Sequence, residues 1–188
     1  MNRRDALTTT AVLLGGTIIG AQAFLSACKA IETESGTLFS DADLVLLDEI
    51  GETILPATPK SPGAKAAKVA AFMAVIVADC YDEKEQVIFL RGLKILKDLS
   101  VRQYGQDFIE LSSDEKTAFL TALDKEAKVY SETKKEEAPE HYFSMMKQLT
   151  LWGYFSSEPG MTEALRFVPV PGRYEGCIDY QKGDGAWA

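Results

Sequence analysis

Apolar residues recur along this chain at helical intervals, with no run at strand period to compete. Ser40 reads as an N-cap with Asp43 three residues on, and Leu44, Leu47, Ile50 and Ile54 follow on one face until Pro56 ends the helix. Pro56, Pro59 and Pro62 with Gly63 make a stiff loop, since proline fixes φ and lacks an N–H. Ala64 to Cys80 resumes helix, and its centre, Val69 to Ala78, is apolar on every side. Ten residues are too few to span a bilayer, so this segment is expected to be the central buried helix of a bundle.

Glu83 to about Tyr104 places Phe89, Leu93, Leu96 and Leu99 or Ser100 on one stripe, with Arg91, Lys94, Lys97 and Asp98 largely outside it. Ser112 and Glu115 form a capping box before a helix carrying Phe119, Leu123, Ala127 and Tyr130. The charge-dense stretch from Glu126 to Glu140 reads as a solvated helix end and loop. Pro139 can start a helix bearing Phe143, Met146, Leu149 and Trp152. Beyond a turn cluster at Gly153–Gly160, Thr162 is placed to cap one short helix through Phe167, after which Pro169 and Pro171 forbid regular structure. The expected fold is all-α: a single bundle of about five to six helices with a long irregular Gly/Pro/aromatic segment, residues 168–188. Ordering such a tail costs roughly 1–2 kcal/mol per residue, so Tyr174, Tyr180 and Trp187 should lie on the bundle or on a partner.

The first residues follow another pattern. Arg3 and Arg4 precede the uncharged stretch Ala6 to Ala27, which ends Leu25-Ser26-Ala27-Cys28. A charged start, a mildly apolar centre and small residues before a cut describe an export signal over residues 1–27. A membrane anchor is the alternative, disfavoured by the Thr, Gln and Gly residues within the stretch. Asn2 to Leu7 resembles a twin-arginine signal, whose machinery exports folded proteins. Leu25 to Cys28 resembles a bacterial lipobox, in which Cys28 would carry lipid and open the mature chain. Acyl chains at about 0.8 kcal/mol per buried methylene would then hold the protein at a membrane. Residues 28–38 are read as a flexible tether and 39–188 as the helical domain.

Composition bounds the function. The 188 residues carry 20 Lys+Arg against 28 Asp+Glu, a net charge of −8. Losing Arg3, Arg4 and Asp5 would leave the chain one unit more acidic, which argues against nucleic acid as a partner. With 46% apolar residues the chain can bury a core. There is no Gly-rich phosphate turn between strand and helix, no C-x-x-C-H and no close Cys/His pairing, so no cofactor or metal is expected in this chain. His141, the only histidine, stands at a helix start and reads as a solvated or hydrogen-bonded ring. A Ser-His-Asp triad through it would lack a nucleophile elbow. If Cys28 is lipidated, Cys80 and Cys177 are the remaining thiols, and in an exported protein they are expected to pair, pinning the tail to the core. Two free buried thiols are the alternative.

Several segments together resemble the gluconate 2-dehydrogenase subunit 3 family. They are Asp48 to Lys65, Asp79-Cys80-Tyr81, Lys147 to Gly160, Pro169 to Cys177 and Ala186 to Ala188, which between them run over nearly all of the mature chain. The resemblance implies a small accessory subunit without catalytic residues of its own. It would accompany a large flavin-dependent sugar or alcohol dehydrogenase subunit, with FAD in that partner, and in some cases a cytochrome c subunit carrying haem c. Such subunits are thought to escort the folded flavoprotein through export. The lipobox is a departure from the family pattern. The implied location is the periplasmic or cell-surface face of a bacterial membrane, through a lipid anchor. A lipoprotein binding module without a redox partner and an independent enzyme are the alternatives. Tyr154, Phe155, Arg173, Tyr174 and Trp187 are the candidate interface residues, because Tyr, Trp and Arg dominate binding hot spots.

Overall fold

Three capping boxes set the helix starts. In the computed structural model, which describes residues 38–170, 172, 173, 176–179 and 181–187, Ser40 opens α1 (Asp41–Ile54) by accepting from the Asp43 amide while Asp43 reaches back to Ser40. Asp82 and Glu85 do the same for α3 (Glu83–Tyr104), and Ser112 with Glu115 for α4 (Ser113–Thr133). Each box satisfies amides that have no partner within the helix, an interaction of about 1 kcal/mol. Gly105 closes α3 at φ 74°, a left-handed conformation that favours a residue without Cβ.

Between α1 and α3 lies α2 (Val69–Asp79), shorter than the helix expected from Ala64. Residues 64–68 are turns, and Lys68 enters the helix at φ 54° with no side-chain cap. Asp48 of α1 faces this helix start: the Ala70 backbone N–H draws its carboxyl pKa down, against the larger effect of burial. The fifth helix, α5 (Tyr142–Phe155), starts three residues after Pro139, with His141 as its N-cap. The short helix expected from Thr162 is instead one π-helical turn, Gly160–Ala164, within which the Thr162 hydroxyl bonds back to Glu158 O. Among the described residues there is no β-strand, and beyond Ala164 no further helix.

Leu38–Ala188 form one unit, an all-α bundle. Its centre is α5, which touches each of the other four described α-helices. This corrects the expectation that Val69 to Ala78 would be central. Val69, Ala70, Met73 and Val77 of α2 are buried, but Ala71, Val75 and Ala78 form an outward stripe, Val75 being 57% exposed. α5 buries Phe143, Met145, Met146 and Leu149, and also two polar side chains that find partners inside it. Thr150 Oγ1 donates to Met146 O at 2.8 Å, and Tyr154 Oη donates to Pro62 O at 2.6 Å. On α3, Ser100 rather than Leu99 is fully buried, its hydroxyl donating to Gln106 O at 3.0 Å.

No described helix is long and apolar enough to cross a membrane. The export signal at 1–27 with Arg3 and Arg4, the lipidation site Cys28, most of the tether, Tyr174 and Tyr180 lie outside the described residues.

Candidate functional site

The proline loop after α1 is held by one carboxylate. Glu52 Oε1 accepts from Ala57 N at 3.0 Å and Oε2 from Lys65 N at 2.9 Å, so a single side chain fastens both ends of the segment. Gly63 leaves room for this crossing: a Cβ there would overlap the Glu52 carboxylate, which would have to leave its two amides. The bond from Tyr154 ties the same loop to α5.

Charges gather beside it. Glu49 bridges Lys65 of the loop and Lys116 of α4, the latter at 3.0 Å. Burial raises the Glu49 carboxyl, but the hydrogen bonds from Lys65 and Lys116 outweigh it, and the net displacement is downward. Asp43 behaves alike: burial is opposed by Lys97 at 2.6 Å and by Ser40, and the result is again lowered. Asp48 goes the other way, raised mainly by burial, with one oxygen buried away from any protein donor. A lowered carboxylate contributes stability that is present above its unfolded value and is lost as the pH falls through its folded value. The thermal midpoint is therefore expected to fall as the pH drops below about 4.5, the ordinary glutamate value. Glu49→Gln should make that acid limb shallower in a melting series, and an unaltered slope would contradict the assignment.

His141 packs against Tyr130 and Tyr142, and its Nδ1 accepts the Phe143 amide at 3.2 Å. As an acceptor, Nδ1 carries no proton, which places the hydrogen of the neutral ring on Nε2, 3.8 Å from Glu126 Oε1. Burial lowers the His141 pKa against the opposing pull of Glu126. The ring is a helix cap, with no nucleophile bonded to it.

The candidate interface residues divide. Tyr154 is only 3% exposed and committed to Pro62, so it is not a surface contact as expected. Phe155 is exposed at the end of α5. Arg173 is exposed in the tail. Trp187 is 58% exposed yet held: Arg166 stacks on its ring at 5.4 Å, and the Arg166 amide donates to Ala186 O at 2.8 Å. Arg166 also pairs with Asp184 at 3.0 Å, so the tail end is clipped to the segment after the π turn. The pairing expected between Cys80 and Cys177 is not formed: both are free, exposed thiols, Cys80 at the solvent end of α2. No group of three or more His, Cys, Asp or Glu among the described residues is placed to hold a metal.

The pattern missed Trp152 as a surface residue. Expected on the core stripe of α5, it is 53% exposed and stands edge-on to Phe72 of α2 at 5.3 Å, beside the exposed Leu151 and Phe155. Its place three residues beyond Leu149 gave no hint, because α5 is near its end there and its outer side meets no further helix.

A family model, gluconate 2-dehydrogenase subunit 3, matches residues 41–172. The chain belongs to the gluconate 2-dehydrogenase subunit 3 family. Comparison with curated proteins and with solved structures gives no match. Membership makes it an accessory subunit of a multi-subunit dehydrogenase. The matched span takes in the Glu52 clasp, the five described α-helices and the π turn, so the subunit 3 match coincides with the bundle.

Proposed function

We propose that this chain is the non-catalytic accessory subunit of an exported, flavin-dependent gluconate, glucose or alcohol dehydrogenase, supporting export of the catalytic subunit and holding it at a membrane. The observation that carries the reading is the family match across the bundle. FAD belongs to the catalytic partner in this reading, and haem c to a cytochrome subunit that takes the electrons. Folded export suits such a partner, because flavin held by non-covalent contacts would be lost on unfolding. Attachment runs through acyl chains on Cys28, at the periplasmic or cell-surface face of a bacterial membrane. Phe155, Arg173, Tyr174 and Trp187 contribute to the contact with the catalytic subunit; aromatic and arginine side chains are the usual anchors of such contacts.

The test is purification of a tagged chain from its native membrane in mild detergent. A large subunit with flavin absorbance should co-purify, and Cys28→Ser should release the complex from the membrane fraction. Recovery solely as a free monomer would overturn the reading. So would oxidation of gluconate or glucose by the isolated chain with an artificial electron acceptor.

A further inference from the structure

A groove opens where α3 begins, bounded on its far side by α5 and by the loop at Pro139. Its inner part is a cavity of about 230 Å³ over Tyr81, Ile88, Met145, Leu149 and Trp152. A wider cleft adjoins it through Glu85, Ile88 and Pro139, and there Val87, 60% exposed, continues the apolar floor. The inner cavity is smaller than the roughly 300 Å³ at which small-molecule sites begin and suits one or two anchoring side chains, while the adjoining cleft, about 720 Å³, has room for the rest of a polypeptide segment.

The rim is acidic. Asp82, Glu83, Glu85, Glu137 and Glu140 line it, against Lys84 and against Lys134, which already pairs with Glu140 at 2.7 Å. The start of α3 contributes only about half a positive charge, too little to cancel the three carboxylates of Asp82, Glu83 and Glu85. Asp82 and Glu85 are held in place by each other's backbone amides, so their charge is fixed at the groove mouth. Tyr81 senses it: burial and then Glu85 push its phenol upward.

An apolar floor under a negative rim selects a cationic amphipathic segment and repels phosphate and other anions. We infer that this groove receives a lysine- or arginine-flanked apolar segment of another subunit of the dehydrogenase complex, its apolar side chains seated on Ile88 and Trp152. The inference rests on the accessory-subunit reading above and assigns it a docking site. Residues 1–27 of the chain itself, with Arg3 and Arg4 before an apolar stretch, have similar chemistry. On that reading the mature chain begins at Cys28, which removes them.

A photo-cross-linking amino acid at Val87 or Glu137, in the tagged chain purified from its native membrane, identifies the occupant. Val129, equally exposed on α4, serves as the control position. Cross-links from the first two positions and not the third, into a basic apolar stretch of another subunit, are expected. Glu83→Lys combined with Glu137→Lys should cut recovery of that subunit by about tenfold at low salt and by less at high salt. Both sites are exposed, so the fold should hold, with the melting temperature lowered by no more than a few degrees for placing a lysine at the positive start of α3. Cross-links to residues 1–27, to a second copy or to nothing would overturn the docking site. Undiminished recovery with the charge-reversed chain would also do so while leaving the subunit reading standing; if the unaltered chain recovers no partner, both fall.

Discussion

Phe89→Ala is expected to lower stability by about 3–5 kcal/mol. The Phe89 ring is fully buried and meets Phe39 edge-on at 5.9 Å and Tyr81 at 6.4 Å. Truncation removes the apolar transfer energy, both ring pairs at about 0.5–1.5 kcal/mol each, and leaves a cavity that helix backbones cannot fully collapse. For a domain of this size the thermal midpoint should drop by about 6–20 °C. Urea unfolding measures the loss directly, and Phe89→Leu should recover more than half of it. A deficit under about 1 kcal/mol would show that the ring does not join the segment before α1 to the α2–α3 corner.

Gly92→Ala should also destabilise, by about 1–3 kcal/mol, although alanine is the better helix former by about 1 kcal/mol. A Cβ at position 92 would lie 2.6 Å from Tyr142 Cδ2 and closer still to Tyr142 Cβ and Cγ. Those inner atoms sit at the root of the side chain and cannot swing away, so α3 would have to move off α5. In a double-mutant cycle with Tyr142→Gly, the combined loss should fall short of the sum of the single losses. A stabilised Gly92→Ala protein would refute the close approach. The same contact buries the Tyr142 phenol, whose pKa is pushed to about 12 by burial and by Glu126.

What the sequence made legible was local. Ser40 with Asp43 and Ser112 with Glu115 are caps written within four residues, and the structure starts helices at both. What escaped it depends on residues far apart in the chain. The helix expected from Ala64 loses its first turn and a half because Glu52 binds Lys65 N as well as Ala57 N, contacts with α1 that periodicity along residues 64–80 cannot register. The central helix was misassigned for a related reason. α2 is the most uniformly apolar segment, yet α5 occupies the centre, because Gln148 and the Lys147–Asp124 pair stay toward solvent while the hydroxyls of Thr150 and Tyr154 find acceptors inside the bundle. Tyr154 fits an interface by residue type, and only the Pro62 carbonyl turns it inward. The groove was invisible because Trp152, Ile88 and Glu137 share no motif and meet only through folding.

That central position has a consequence for biogenesis. Of the five described α-helices, the one touching all four others comes last in the chain. A nascent chain emerging from the ribosome can pair α1 with α2 and α4, but lacks the piece that closes the hydrophobic interior until Phe155 is released. Closure of the interior thus waits on α5, and a chain that has not yet reached it presents apolar surface to chaperones.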